Sequence, residues 1–277
     1  MLVTLNEVLK DAQQKHYAVG LFNTVNLEMA QGVIGAAEEA KSPVIIGTAE
    51  VLLPAAELKE LAPLLRSMAQ RASVPVVLHF DHGLTEAKIN EAIDLGFSSI
   101  MYDCSAGSLE DNVKNVAAMV RKAHSLGLSV EGELGHVGAN AEEKGDNTIY
   151  TEPDQAKAYW EATGVDALAI AIGTAHGAYK STPKLDLDRL TEIRNTVDVP
   201  LVLHGGSGLS DDDFRNTIAR GIAKINIFTD LNVAAAKAAY DAYQKDIGLT
   251  SVMPFIREAV KQETLKKMNL FGSVGKA

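Results

Sequence analysis

The sequence contains a single cysteine, Cys104, which excludes an internal disulfide and any metal cluster built from several thiolates. A metal ion must therefore be held by histidine, aspartate or glutamate side chains. Long apolar runs are also absent, since the longest, residues 167–172, is far shorter than the roughly 20 residues that cross a bilayer. The N-terminal segment carries charges throughout and lacks the zones of a secretory signal peptide. We therefore expect a cytoplasmic protein with no membrane partner.

Basic residues are in the minority. The chain has 26 Lys and Arg against 36 Asp and Glu, a formal net charge of −10 at pH 7. This balance disfavours a surface that binds the anionic backbone of DNA or RNA, although a local basic pocket stays possible. With 277 residues, 47% of them hydrophobic, the chain can bury a large core. We expect a small molecule, and no nucleic acid, as its partner.

Short apolar segments alternate with stretches of helical apolar spacing along the whole chain. The eight candidate strands are residues 17–22, 43–48, 74–80, 98–103, 128–133, 167–173, 200–204 and 223–228. They are almost continuously apolar, which is typical of parallel strands covered on both faces. Eight strand–helix units in about 250 residues match a closed barrel. Because no linker or composition shift interrupts the pattern, we predict a single-domain (β/α)8 TIM barrel over residues 1–277.

Two further segments stand out by their length. Residues 135–150, GHVGANAEEKGDNTIY, form the longest gap between candidate strands and have no helical periodicity. Such a segment is consistent with a surface insertion or with a lid over one end of the barrel. Residues 252–270 have helical spacing, which predicts a helix packed outside the barrel or against a partner subunit.

Histidines and carboxylates cluster where the candidate strands end. Barrel enzymes build their active sites at the carboxyl ends of the strands, and His82, His176 and His204 lie there on the third, sixth and seventh strands. Three histidines that converge would hold a catalytic Zn²⁺ and leave one coordination position open. Asp81 is placed to exchange a proton with a substrate hydroxyl. It can share the site with His82 only if the chain is already turning, which Gly83 would allow.

Other polar residues occupy the same rim. Asp103 and Glu133 end the fourth and fifth strands and are candidate metal ligands, acceptors for histidine N–H groups, or partners of a helix-borne Arg or Lys. His79 is either a core histidine or a residue that orients a ligand. A glycine-rich segment, residues 205–208, follows the seventh strand, and residues 226–229 end the eighth. Barrels commonly bind phosphate at this position, where backbone N–H and hydroxyl groups reach the anion.

The segments HFDHG, DCSAG, VEGELGHVG, AIGTAHGAY, LVLHGGSGL and KINIFTDL resemble, in order, the signature segments of the class II metal-dependent aldolases of fructose-bisphosphate and tagatose-bisphosphate. The resemblance covers essentially the whole chain. It implies that His82, His176 and His204 bind zinc, and that Asp81 moves the proton of the hydroxyl at the cleaved bond. It also implies a set of residues that bind dihydroxyacetone phosphate: Gly177, Gly205, Gly206, Ser207, Asn226 and Thr229.

The resemblance has four further implications. Asp103 and Glu133 would hold the metal in an alternative position, and a monovalent cation, Na⁺ or K⁺, would lie near the phosphate. A glutamate in the loop after the fifth strand would move the proton at the nucleophilic carbon, and here Glu142 and Glu143 are candidates, with Glu142 preferred. The family also tends to form homodimers or homotetramers.

Strand eight departs from the family pattern. Fructose-bisphosphate enzymes generally have Asp where this chain has Phe228, and tagatose-bisphosphate enzymes usually have Ala. Asn232 stands where those enzymes often have Arg or Lys to bind the second phosphate, and a neutral amide cannot replace that charge. These departures predict a ketose 1-phosphate substrate whose acceptor aldehyde is not glyceraldehyde 3-phosphate.

Several alternatives stay open. One is a conventional fructose- or tagatose-1,6-bisphosphate aldolase. A Schiff-base aldolase would need a lysine near the carbonyl, for which Lys180 and Lys224 are candidates. A metal-dependent hydrolase is less favoured, because the segment YAVGLFN lacks the His-x-His pair those barrels often place on the first strand. A non-catalytic regulatory barrel is disfavoured because every proposed ligand is retained.

Overall fold

The structure is a computed structural model that describes residues 1–137, 150–177, 179, 183–245 and 248–277. Its strands are β1 (Leu2–Val3), β2 (Val19–Asn23), β3 (Val44–Ala49), β4 (Val76–Gly83), β5 (Ser99–Tyr102), β6 (Ser129–Leu134), β7 (Ala167–Ile170), β8 (Leu201–Leu203) and β9 (Ile222–Ile227). Its helices are α1 (Leu5–Gln14), α2 (Leu27–Ala40), α3 (Leu58–Arg71), α4 (Glu86–Asp94), α5 (Leu109–Ser125), α6 (Pro153–Thr163), α7 (Leu187–Thr196), α8 (Asp211–Ala219), α9 (Thr229–Tyr243) and α10 (Leu249–Phe271). None of these helices is long and apolar enough to cross a membrane.

Eight of the strands close into a barrel. Each strand from β2 to β9 pairs in parallel with the next one along the chain, and β2 also pairs with β9. The predicted (β/α)8 barrel is therefore confirmed. The short strand β1 pairs with β4 at Val76 and Val77, outside the closed ring. Sequence analysis missed β1 because two residues are too few to show a periodicity.

The end of the barrel away from the strands' carboxyl termini is filled by apolar side chains. Leu5 and Leu9 of α1 are fully buried and belong to one cluster with residues of the barrel interior: Val19, Leu21, Ile45, Val77, Ala167, Ala169, Val202 and Ala223. Full burial of one leucine side chain stabilises a fold by about 1.5–3 kcal/mol. Helix α1 thus closes the barrel floor, and the polar residues of the interior lie above it.

Alternation along the strands brings those polar residues inside. In β4, Leu78 and Phe80 pack in the cluster between the sheet and the helices, so Val77, His79 and Asp81 face the interior. In β6 the outward residues are Val130 and Leu134, which turns Glu131 and Glu133 inwards. In β9 they are Ile225 and Ile227, which turns Lys224 and Asn226 inwards.

The predicted C-terminal helix is α10, which packs on the outside of the barrel against α2 and α9. Its contact with α2 is close, since a Cβ added at Gly32 would lie 2.8 Å from the Arg257 carbonyl oxygen.

Candidate active site

A cavity of about 560 Å³ opens at the carboxyl end of the barrel. Every barrel strand, or the segment that directly follows it, contributes to its wall, as the sequence analysis predicted for an active site. The lining residues are Asn23, Ala49, Val51, Leu52, Asp81, His82, Leu84, Asp103, Ser105, Ala106, His136, Val137, His176, Gly177, Gly205, Gly206, Ser207, Asn226, Ile227, Phe228 and Thr229.

The three predicted histidines meet at the base of this cavity. The ring centroid of His82 lies 4.9 Å from that of His176 and 4.5 Å from that of His204. The centroids of His176 and His204 are 5.8 Å apart. One nitrogen from each ring lies within 4.8 Å of the other two. The closest pair is His82 Nε2 and His204 Nδ1, which are 2.8 Å apart. Three convergent imidazole nitrogens beside an open cavity suit a catalytic metal with a free coordination position.

His82 reaches this point through an unusual backbone conformation. Its φ is +42°, in the left-handed region, which costs an L-residue roughly 1–2 kcal/mol. The pairing register of β4 with β5 shifts between Phe80 and Gly83, so the strand bends there and both Asp81 and His82 line the cavity. The chain turns at the predicted place, but the left-handed conformation belongs to His82. Gly83 instead allows the close approach of the Met101 backbone. A Cβ at Gly83 would lie 2.7 Å from the Met101 carbonyl oxygen.

Carboxylates contact two of the histidine rings, each at the nitrogen that faces away from the other ring. His82 Nδ1 lies 2.7 Å from Asp103 Oδ2, and Asp103 Oδ1 accepts hydrogen bonds from the N–H and Oγ–H of Ser105. His204 Nε2 lies 2.8 Å from Glu131 Oε1. A carboxylate that accepts one ring N–H directs the lone pair of the other nitrogen toward the metal position. Sequence analysis missed Glu131, although its spacing of two from Glu133 places both side chains on the inner face of β6.

The electrostatics of the metal-free site follow from these contacts. Burial lowers the pKa of His82, but Asp81, a hydrogen bond to Asp103 and nearby Glu133 outweigh it and raise that pKa to about 10. His82 is therefore cationic without a metal, and its Nε2–H donates to His204 Nδ1. Burial lowers the pKa of His176 to about 3, with the His82 charge acting in the same direction.

Asp81 is almost fully buried and held at both oxygens. Its Oδ2 accepts a hydrogen bond from the amide of Asn23 at 2.8 Å, and its Oδ1 accepts one from the amide of Asn226 at 3.0 Å. Burial raises the pKa of Asp81, but the charges of His82 and Lys224 outweigh it and hold that pKa well below its usual range. Asp81 is thus an ionised, oriented carboxylate beside the histidines. The sequence analysis did not name Asn23, although its position as a polar residue at the end of β2 would have indicated it.

Glu133 also lies beside the histidines. Its Oε1 accepts a hydrogen bond from the Val137 N–H, and its Oε2 is 3.6 Å from His204 Nδ1. Burial and the Asp103 charge raise the pKa of Glu133. Oxygens of Asp103 and Glu133 and a nitrogen of His82 form a second group close enough to hold a metal, so the predicted alternative position is geometrically available.

Two other histidines differ in their surroundings. His79 is fully buried below the cavity, with Nδ1 2.7 Å from Ser99 Oγ, and burial lowers its pKa to about 4. It is thus a neutral histidine of the interior. His136, which the sequence predicts to lie on the surface of the rim, lines the cavity, and its Nδ1 is 3.0 Å from Ser105 Oγ.

The residues predicted to bind phosphate form one side of the cavity. Gly205 has a φ of +67°, and a Cβ there would lie 2.4 Å from the Ala175 carbonyl oxygen, so only glycine fits. The next residues, Gly206 and Ser207, face the start of α9, which begins at Thr229. A helix N-terminus offers free N–H groups and a partial positive charge to an anion. Gly177 and Asn226 complete the predicted set, and all six members line the cavity.

Five apolar residues among those that line the cavity are called the outer wall: Ala49, Val51, Leu52, Leu84 and Phe228, the residue that precedes α9. No lysine or arginine occurs among the described residues that line the cavity.

Among the described residues, one predicted site residue lies away from the cavity. Asn232 is exposed in the first turns of α9 and does not line the cavity. Glu142 and Glu143 lie outside the described residues.

Of the two lysines considered for a Schiff base, the structure describes Lys224. Lys224 does not line the cavity, and its Nζ lies 2.8 Å from Glu131 Oε2. That contact directs the amine toward Glu131 and away from the cavity, where a substrate carbonyl would have to be reached. Lys180 lies outside the described residues.

Known proteins with similar sequences and structures include aldolases. The sequence model of the family described as "Fructose-bisphosphate aldolase class-II" matches residues 3–276. The chain is 45% identical to the protein YdjI of Escherichia coli over the full length of both chains, and 39% identical to fructose-bisphosphate aldolase of Geobacillus stearothermophilus over 100% of this chain and 99% of the relative. The crystal structure of the YdjI aldolase superimposes with a TM-score of 0.91 at 42% identity, covering 100% of both chains.

Proposed function

The chain belongs to the class II fructose-bisphosphate aldolase family, and from that premise we propose that it reversibly cleaves a ketose 1-phosphate into dihydroxyacetone phosphate and an aldehyde other than glyceraldehyde 3-phosphate. As a member of this family the protein is an aldolase, a carbon–carbon lyase that acts on a sugar phosphate. The observation that carries the proposed substrate is the apolar outer wall formed by Val51, Leu84 and Phe228. A phosphate on the aldehyde would need hydrogen-bond donors there, and these apolar side chains offer none. An unphosphorylated aldehyde needs none.

His82, His176 and His204 are the residues that we propose to hold the metal ion, and we propose Zn²⁺ as that ion. Their fit rests on three converging nitrogens and on the carboxylates that orient two of the rings. When bound, the metal supplies positive charge that stabilises the electron pair released as the carbon–carbon bond breaks. Asp103 and Glu133 are proposed as alternative ligands.

Asp81 is the proposed base for the substrate hydroxyl. In cleavage it accepts the hydroxyl proton, and in synthesis it returns a proton to the aldehyde oxygen. Its two amide partners, Asn23 and Asn226, keep the carboxylate in one orientation toward the cavity. A second group must move the proton at the donor carbon, and Glu142 or Glu143, preferably Glu142, stays the prediction for that role.

The phosphate of dihydroxyacetone phosphate is proposed to bind between the glycine-rich segment after β8 and the N-terminus of α9. Backbone N–H groups and the Ser207 and Thr229 hydroxyls provide neutral donors, and the helix dipole favours the negative charge. A monovalent cation, Na⁺ or K⁺, near this phosphate completes the proposed site. We further propose that the protein forms homodimers or homotetramers, as the family resemblance implies.

A conventional fructose- or tagatose-1,6-bisphosphate aldolase is the second candidate. The name of the Geobacillus stearothermophilus relative supports it. The apolar outer wall argues against it, because neither Phe228 nor Leu84 can bind a second phosphate. A regulatory barrel without activity is opposed by the joint presence of Asp81 and three converging histidines.

The first experiment follows exchange of solvent deuterium into dihydroxyacetone phosphate by NMR. Protein as purified, chelator-treated protein and protein restored with zinc are compared, because this half-reaction needs no aldehyde. We expect exchange that chelation abolishes and zinc restores. Lack of exchange in all three samples would overturn the donor assignment. Cleavage of ketose 1-phosphates and bisphosphates then separates the two candidate functions.

A further inference from the structure

Lys224 and Glu131 form an ion pair in the centre of the barrel, with Lys224 Nζ 2.8 Å from Glu131 Oε2. Both residues are fully buried. Removing two charges from water costs several kcal/mol per ion, so such a pair is weak evidence of stability and calls for another explanation. The proposed function uses Glu131 only to orient His204 and does not use Lys224.

The contacts of Lys224 lead to both halves of the proposed site. Its ammonium group forms the ion pair with Glu131 Oε2 and donates a hydrogen bond to Asn226 Oδ1 at 2.7 Å. Through Glu131 the first branch reaches His204, whose Nε2 lies 2.8 Å from Glu131 Oε1. Through Asn226 the second branch reaches Asp81, whose Oδ1 is 3.0 Å from Asn226 Nδ2. Lys224 is thus the common neighbour of the residues that touch a metal ligand and the proposed base.

The direction of each hydrogen bond follows from the ammonium group, which can only donate. Asn226 must therefore present its carbonyl oxygen to Lys224, which leaves its NH₂ group to donate to Asp81. Glu131, paired with a cation, stays a carboxylate and can only accept, so His204 must carry its proton on Nε2. The lone pair of His204 Nδ1 then faces His82 and the cavity.

The same buried region has a group of atoms that otherwise suits a cation. Atoms of His79, Asp81 and Glu131 lie close enough together to hold a metal ion. His79 Nε2 is 3.8 Å from Asp81 Oδ1 and 3.9 Å from Glu131 Oε2. The Lys224 ammonium beside Glu131 already supplies the positive charge that these carboxylates require.

We propose that Lys224 is a positioning residue, which through Glu131 fixes the orientation of the His204 ring and through Asn226 fixes the orientation of Asp81. Lys224 itself does not line the cavity. The inference rests on the proposed function only in taking His204 as a metal ligand and Asp81 as the base. Partners of metal-ligating histidines typically change metal affinity about 10- to 100-fold when they are removed.

The test compares the wild type with Lys224→Met and with the control Lys261→Met, which removes an ion pair with Glu39 on the outer helices. Two readouts do not depend on turnover: the zinc dissociation constant by chelator competition, and the ring ¹⁵N shifts of His204, assigned with His204→Asn. For Lys224→Met we expect about 10- to 100-fold weaker zinc binding and a changed ¹⁵N shift of His204 Nε2, because the Glu131 carboxylate beside this nitrogen has lost its cation. Lys261→Met should match the wild type. An unchanged dissociation constant and an unchanged His204 Nε2 shift in folded Lys224→Met would overturn the proposal.

A second variant covers the case in which Lys224→Met does not fold because Glu131 is left buried and unpaired. The double variant Lys224→Met/Glu131→Gln is neutral at both positions, and the Gln amide can either accept from or donate to His204 Nε2. We expect this protein to fold with a changed His204 Nε2 shift and weakened zinc binding, and wild-type values for both would refute the inference. A wild type that binds zinc but gives no exchange of dihydroxyacetone phosphate would contradict the proposed function alone.

Discussion

Replacing Leu84 with arginine tests whether the outer cavity wall selects the aldehyde. Leu84 lines the cavity and is 50% exposed, so a longer side chain there can extend along the cavity rim without filling a packed core. The nearby Glu50 carboxylate already accepts hydrogen bonds from the N–H groups of residues 84 and 85 and from the Thr85 hydroxyl. An arginine at position 84 would therefore be available to a phosphate on the aldehyde portion of the substrate.

The expected change in kcat/KM follows from the solvent exposure of position 84. A hydrogen bond to a charged group contributes about 1.5–3 kcal/mol when it is protected from water. At a half-exposed position solvent screening reduces a charge pair to at most about 1 kcal/mol. That free energy corresponds to a roughly fivefold change in kcat/KM.

The assay measures kcat/KM for two substrates, fructose 1,6-bisphosphate and a ketose 1-phosphate that carries no second phosphate. The proteins compared are the wild type, Leu84→Arg and the neutral control Leu84→Gln. We expect the wild type to prefer the ketose 1-phosphate, and Leu84→Arg to shift the ratio toward the bisphosphate about fivefold. Leu84→Gln should leave the ratio unchanged. A wild type that prefers the bisphosphate, or an equal shift in both variants, would refute the role assigned to the apolar wall.

Three other predictions concern the buried part of the site. Asp81→Asn should lower cleavage about 10²- to 10⁴-fold while the zinc-dependent deuterium exchange of dihydroxyacetone phosphate persists, and loss of both would contradict its assignment as the hydroxyl base. Because His82 is cationic without a metal, zinc binding at pH 7 should release a proton, which calorimetry in buffers of different ionisation enthalpy measures. Between pH 6.5 and 4 the unfolded chain protonates His79 and the folded protein does not, so stability falls as pH decreases. In metal-free protein, urea unfolding measures the free energy of unfolding at pH 7 and at pH 5. The decrease between these two pH values should be about 2 kcal/mol larger for the wild type than for His79→Gln, and equal decreases would exclude a neutral buried His79.

Much of the architecture was predictable from the sequence, because it depends on local pattern. Continuous apolar runs separated by helical spacing identify parallel strands covered on both faces, and eight such units leave a closed barrel as the economical solution. The positions of His82, His176 and His204 at strand ends followed from the same count, since parallel strands deliver their carboxyl ends to one rim.

The supporting contacts could not be predicted in this way. The residues that orient the histidines lie far away in sequence: Glu131 and His204 are 73 positions apart, and Asn226 and Asp81 are 145 apart. Their pairing depends on the relative register of strands across the barrel. Sequence analysis accordingly named Glu133 and passed over Glu131, which faces the same interior.

Strand register and backbone conformation also decided two points that composition left open. Lys224 was a candidate nucleophile on residue type alone, but its place on β9 pairs it with Glu131 inside the barrel. Gly83 was the expected turn, but the left-handed conformation is adopted by His82, where tertiary packing overrides residue preference. The sequence by itself thus determined the barrel and the chemical types at its rim, because periodicity and residue order are local properties. Only the tertiary structure decided which groups donate, accept and carry charge, because those roles depend on partners that the chain brings together from distant strands.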